Sequence, residues 1–272
     1  MLRERHRRPL TPFCSAGDAS CCYPSASHQE ALARLQFLVR QGRSLGILTG
    51  SEGSGKSLLL AKFLGDLQQA GQPACLINLT GLEPRDFLWE LAAGLRALPG
   101  AGDNAFTLWR QVNDRIRAHH LLHARVTILL DDADEASGDV LTAVLRLLKS
   151  QPGMATLALA VDDQRLPRLG SDLLHLSPLR IHLEPWELGD LRQYVQTSLA
   201  RAGGDPRKFD EAAVTRLHAL TDGVPRWAVQ LAELAWLAAE GDQLERITAD
   251  TVESAYQALS ASYLAGPAGY AA

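Results

Sequence analysis

Eight consecutive residues constrain this chain more than any others: Gly50-Ser51-Glu52-Gly53-Ser54-Gly55-Lys56-Ser57. They fit G-x-x-x-x-G-K-[ST], the phosphate-binding P-loop. Glycines remove side chains where backbone N–H groups must turn inward around phosphate oxygens. The following helix adds the positive end of its dipole. Lys56 can reach the β- and γ-phosphates as a point charge, and the Ser57 hydroxyl can ligate Mg²⁺. A chance match in a chain of 272 residues is on the order of one in a hundred from typical residue frequencies. The context narrows this further. Leu45–Thr49 is a short apolar run that reads as the strand leading in. Leu58–Leu67 reads as the helix leading out, which adds Leu58 to the phosphate-contacting set Gly50–Ser57.

Such a loop needs a carboxylate on a neighbouring strand to hold Mg²⁺, often through water. Val126–Leu130 is a β-branched and leucine run that ends abruptly in Asp131 and Asp132. Asp131 is the expected metal-side acid. Asp132 stands where a base could orient an attacking water. Asp134 and Glu135 read as loop surface. A further strand, Ala155–Val161, ends in Asp162 and Asp163. An acid facing phosphate would be repelled unless it binds water or metal, so Asp162 reads either as a phosphate sensor or as turn chemistry.

Around these motifs, strands alternate with helices. Ser27 can cap a helix carrying Ala31, Leu32, Leu35, Leu38 and Val39, which Gly42 ends. Ala74–Leu79 reads as a strand, and helices are expected over 84–97 and 104–121. Val140–Lys149 reads as a helix and Leu179–Leu183 as a fifth strand. This alternation predicts a three-layer α/β/α fold around a mainly parallel five-stranded sheet. After Pro185 the pattern changes to helices alone, over 187–202, 208–221, 226–240 and 248–260. The expected divisions are an irregular segment 1–24, a P-loop core 25–184, a helical domain 185–262 and a flexible tail 263–272.

Composition excludes several classes. The net charge of −4 leaves no whole-chain basic footprint for nucleic acid, although residues 1–8 carry four arginines against one glutamate. No apolar run approaches the roughly 18 residues of a membrane span, and the basic N-terminus lacks the apolar stretch of a secretory signal. The chain is therefore expected in the cytoplasm. Cys14, Cys21, Cys22 and Cys75 form neither a metal-ligand spacing nor a disulfide framework. The histidines show no paired metal spacing, and the tryptophans read as core or interface residues.

The residues resemble a family. A P-loop domain followed by a helical lid is similar to AAA+ ATPases, and within them to the ExeA/GspA-type ATPases of bacterial general secretion and the related transposition ATP-binding proteins. Four segments carry the likeness: Tyr23–Leu32 before the first strand, the P-loop with Ile128–Asp132, Arg180–Pro185, and Thr221–Arg226. The resemblance implies ATP and Mg²⁺ as ligands, Tyr23 near the adenine, and Arg226 reaching the γ-phosphate from the lid. A guanidinium binds phosphate oxygens in a fork, which would couple lid closure to nucleotide state. It also implies a protein partner and a homo-oligomer, with DNA as a further partner on the transposition side.

The chain departs from the family pattern in three places. Asp132 replaces the usual glutamate. Val161-Asp162-Asp163 replaces a glycine-glutamine at the fourth strand's tip. The arginine expected before the fifth strand falls near His175 and Leu176, with Arg168 or Arg180 as substitutes. The chain stops soon after the lid, so by this reading the transmembrane and peptidoglycan-binding extension of longer secretion ATPases is not part of it. Two readings remain: an ATPase that moves its lid, with Lys56, Asp132 and Arg226 in the chemistry, or an ATP-dependent switch with little turnover. A small-molecule phosphotransferase is disfavoured, because it needs a mobile lid inserted within the core.

Overall fold

A computed structural model describes residues 11–13, 23–177 and 179–264. Residues 1–8, Cys14, Cys21, Cys22 and the segment 265–272 lie outside the described residues. The chain divides into two compact units: one is Ala26–Glu184, and the other comprises Met1–Ser25 together with Pro185–Ala272.

The first unit is a five-stranded sheet in the order β2-β3-β4-β1-β5. Its strands are β1 (Leu45–Gly50), β2 (Ala74–Asn78), β3 (Val126–Asp131), β4 (Ala155–Asp162) and β5 (Leu179–His182). All pairings are parallel. The helices are α1 (Ala26–Arg40), α2 (Lys56–Gln69), α3 (Pro84–Gly94), α4 (Ala105–Leu121), α5 (Gly138–Ser150) and α6 (Gly170–Leu176). Burial on both sheet faces explains the near-continuous apolar strands. Successive residues feed opposite cores. Ile47, Ile128, Leu130, Leu157, Leu159 and Val161 pack with Phe87, Leu108 and Val144 of α3, α4 and α5. Leu48, Leu129, Ala158 and Ala160 pack with Leu35, Leu38, Leu60 and Phe63 of α1 and α2.

Local chemistry sets the helix starts. Pro84 opens α3. The Asn104 side chain accepts from the Thr107 N–H at α4, and Ser137 accepts from Val140 at α5. Ile47 is fully buried at the centre of β1. Ile47→Val removes one methylene there and is expected to cost about 1 kcal/mol. A thermal melt should show a midpoint about 2–4 °C lower.

The strand and helix order follows the sequence expectation, with differences at the ends. The helix after the P-loop begins at Lys56 rather than Leu58, and β5 ends at His182 rather than Leu183. Asp163–Leu169 forms a 3-10 turn that runs into α6. Neither was anticipated, because Pro167 and the short length hide any helical period.

The second unit contains α7 (Leu188–Arg201), α8 (Glu211–Thr221), α9 (Pro225–Gly241) and α10 (Ala249–Leu264). Its core joins Trp186, Leu191, Val195, Leu217, Leu231 and Val252. Phe13 and Tyr23 of the N-terminal segment pack with this core. The turn between α8 and α9 is tight. Trp186 N–H donates to the Gly223 carbonyl at 2.8 Å, and the His218 Nε2 lies 2.9 Å from the Trp186 carbonyl oxygen. Among the described residues no helix is long and apolar enough to cross a membrane.

Candidate functional site

The site grows from the carboxyl ends of β1 and β3, where an open parallel sheet presents its loops to ligands. After β1 the chain turns through Gly50–Gly55 into α2. Gly55 is the N-cap of α2 at φ 99°, a left-handed conformation that glycine adopts without strain. A Cβ at this position would stand 2.8 Å from His28 Nε2. The buried His28 of α1 therefore packs directly on the loop. No side chain caps α2, so its first N–H groups have no partner within the helix.

Lys56 folds back over the loop. Its Nζ donates to the carbonyls of Gly50 at 2.7 Å and Ser51 at 3.0 Å, two of the three donors an ammonium carries. The Ser51 and Ser54 hydroxyl oxygens are buried, with no hydrogen-bond partner among the described residues. An uncapped helix start, a lysine over the loop and two orphaned hydroxyls fit a phosphate group. Glu52 is exposed at the loop tip, and Leu58 is half-buried in the first turn of α2.

The two strand-end acids adopt different environments. Asp131 is buried at the end of β3, with the Ser57 hydroxyl beside its carboxylate. Burial pushes the Asp131 carboxyl above its ordinary range, and neighbouring Asp132 adds to this. The Ser57 hydroxyl, the Asp132 N–H and the Lys56 charge pull the other way. A hydroxyl and a carboxylate brought together are hard oxygen donors, which fits a divalent cation such as Mg²⁺.

Asp132 has φ 49° and ψ 45°. Its N–H donates to Asp131 Oδ1 at 3.1 Å. Its carboxylate accepts from Asn78 Nδ2 at 2.7 Å. The Thr80 N–H donates to Asn78 Oδ1 at 2.8 Å, which fixes the amide with its donor toward Asp132. The sequence did not single out Asn78. The signal was a polar residue closing the apolar strand Ala74–Asn78, but it acquires meaning only once β2 is known to lie beside β3.

One expectation is corrected here. Asp134 is not loop surface: it is 5% exposed. The chain tucks its side chain under the tip of β4, where Oδ1 accepts the Asp162 N–H at 3.1 Å. Glu135 does pair near the surface, with Arg165. Asp162 spends its own carboxylate capping the next turn, accepting from Gln164 N–H at 2.9 Å. That is the turn chemistry of the two alternatives. Asp163 Oδ1 instead lies 3.3 Å from His182 Nδ1, and the Thr49 hydroxyl lies 3.1 Å from the same nitrogen.

Tyr23 and Arg226 belong to the helical unit. The Tyr23 hydroxyl donates to Gln193 Oε1 at 2.8 Å, and its ring meets Trp186 edge-on at 5.4 Å. Burial, with the nearby Asp190 charge, raises its phenol above the ordinary tyrosine value. Arg226 is exposed in the first turn of α9, directly after Pro225. The metal set expected from sequence, Ser57 with Asp131, is thus brought together with Lys56 and Asp132 in one unit. Among the described residues no group of three or more histidines, cysteines or acids is placed to hold a metal ion.

Comparison with known proteins gives a consistent likeness. The family described as "AAA domain" matches residues 39–166. General secretion pathway protein A of Aeromonas hydrophila is 28% identical over 237 residues, covering 84% of this chain and 43% of that protein. The chain therefore spans less than half the length of that relative. Among solved structures, Cdc6p from Pyrobaculum aerophilum aligns at TM-score 0.66 and 18% identity, over 90% of this chain and 69% of that one. Aeropyrum pernix ORC1 in complex with DNA aligns at 0.65 and 18%, over 85% of this chain and 65% of that one. The Thermotoga maritima RuvB Holliday junction branch migration motor aligns at 0.59 and 16%, over 85% and 68%. At these identities the structural likeness is one of fold.

Proposed function

We propose that the chain is an AAA+ P-loop ATPase related to the general secretion pathway A-type ATPases, and that it binds ATP with Mg²⁺ and hydrolyses it to move its helical unit, in an assembly of the secretion or transposition kind. The observation that carries this reading is the Lys56 ammonium held over the Gly50 and Ser51 carbonyls beside two orphaned loop hydroxyls.

Residues Gly50–Leu58 would cradle the phosphates, with Lys56 releasing its loop carbonyls for phosphate oxygens. Bound Mg²⁺ would neutralise phosphate charge at Ser57 and Asp131. Asp132, aimed by Asn78, would orient water and accept its proton. By resemblance, Arg226 would bring its guanidinium to the γ-phosphate and Tyr23 would neighbour the adenine.

A second reading, an ATP-dependent switch with little turnover, is favoured by one observation. Asp132 carries a short side chain already engaged by Asn78. The proposed partners are a protein and further copies of this chain, with DNA a candidate because two structurally similar proteins, Aeropyrum pernix ORC1 and Drosophila ORC, are seen bound to DNA. The proposed location is the cytoplasm.

Phosphate release and ATP affinity, measured on wild type and Asp132→Ala, decide between the readings. Hydrolysis predicts that Asp132→Ala lowers kcat by about 100-fold and leaves affinity within about 3-fold. Tight binding without wild-type turnover selects the switch. No ATP binding would sink both.

A further inference from the structure

We propose that Asp134 is a positioning residue that locks the acid-bearing turn after β3 to the tip of β4, the strand paired with the start of the phosphate loop. This rests on the ATPase reading. The β3–β4 ladder ends at the pair Leu130–Leu159. The β1–β4 ladder runs further, to the pair Gly50–Asp162. Beyond Leu159, β4 would therefore lose its hold on the β3 side while still pairing with Gly50 of β1, the first residue of the phosphate loop.

The Asp134 carboxylate takes over where that ladder stops. Its Oδ1 accepts the Asp162 N–H at 3.1 Å. Its Oδ2 lies 3.7 Å from Arg165 Nη1, and Arg168 Nη1 lies 3.5 Å from its carbonyl oxygen. A carboxylate this buried is costly unless its bonds repay the desolvation. The half-exposed Arg165, which also pairs with Glu135, supplies only weak compensation. The bond to Asp162 is the contact that a surface acid would not make.

The path is short. Gly50 pairs with Asp162, Asp162 donates to Asp134, and Asp134 lies two residues after Asp132. Asp134 thus sets where the Asp132 carboxylate stands relative to the loop. Misplacing a reacting group by about an ångström costs on the order of 100-fold in rate, with little effect on ground-state binding.

The test compares Asp134→Ala, Asp134→Asn and Arg165→Ala in the full chain, reading kcat, KM, ATP affinity and hydrogen exchange at the Asp162 amide. Asp134→Ala is expected to lower kcat by about 10- to 100-fold, with affinity within about 3-fold and faster exchange at Asp162. Asp134→Asn keeps the Oδ1 acceptor, so it should restore kcat to within a few-fold of wild type and slow the exchange again. Arg165→Ala should resemble wild type. The proposal is overturned if Asp134→Ala turns over normally, if alanine and asparagine lose activity equally, or if the loss lies in affinity. Should the wild type bind ATP without turnover, the hydrolysis reading fails, and exchange alone decides the lock: unchanged exchange in Asp134→Ala overturns it.

Discussion

Lys56→Ala is expected to lower ATP turnover by about 100- to 1,000-fold and to weaken nucleotide binding, while the fold stays intact. The ammonium lies directly over the loop, 2.7 Å from the Gly50 carbonyl and 3.0 Å from the Ser51 carbonyl. With it gone, phosphate would meet those carbonyl dipoles with no compensating charge. Alanine is the best helix former and Lys56 opens α2, so stability should stay within about 0.5 kcal/mol. Titration with a fluorescent ATP analogue, phosphate release and a thermal melt together separate these effects. Wild-type turnover in the variant would remove the P-loop from the chemistry.

Gly223→Ala should be the most damaging small substitution in the helical unit. Gly223 has φ 68°, and an added Cβ would stand 2.2 Å from the Trp186 carbonyl oxygen and 3.0 Å from His218 Nε2. The left-handed backbone alone costs a β-carbon about 1–2 kcal/mol. The overlap is with backbone, so no rotamer change relieves it. Trp186 cannot retreat easily: it is 5% exposed, and its ring packs on Tyr194 at 4.9 Å. A total loss of about 3 kcal/mol follows, or roughly 6–12 °C in melting midpoint. An unchanged melt would mean that the α8–α9 turn does not hold Trp186 in this way.

Both residues were readable from sequence, for different reasons. Lys56 belongs to a contiguous motif whose spacing is its meaning. Gly223 sits in Asp222-Gly223-Val224-Pro225, where glycine and proline mark a helix break, but its contact with Trp186 was not foreseeable. Strands β1, β3 and β4 were legible because burial on both faces leaves an apolar run. Asp131 was legible because an acid ends such a run. Asp134 was not. It follows two acids and precedes another, and composition alone makes such a residue look solvated. Its partner Asp162 lies 28 positions away, and the Asn78–Asp132 pair spans 54. Only the strand order brings these residues together, and that order leaves no trace in local periodicity.

The same strand order leaves two flanks, β2 and β5, each hydrogen-bonded, among the described residues, to a neighbouring strand on one side only. Unpaired backbone along a flank is a template on which a foreign strand can grow. Here β5 is four residues long, with Arg180 and His182 exposed, and β2 is five residues long with Pro73 directly before it. Short length, charge and a neighbouring proline all discourage strand addition. Copies of this chain that associate would therefore meet through helices and loops, not by growing a continuous sheet, and the sheet is guarded against the fibrous stacking that a long, bare flank invites.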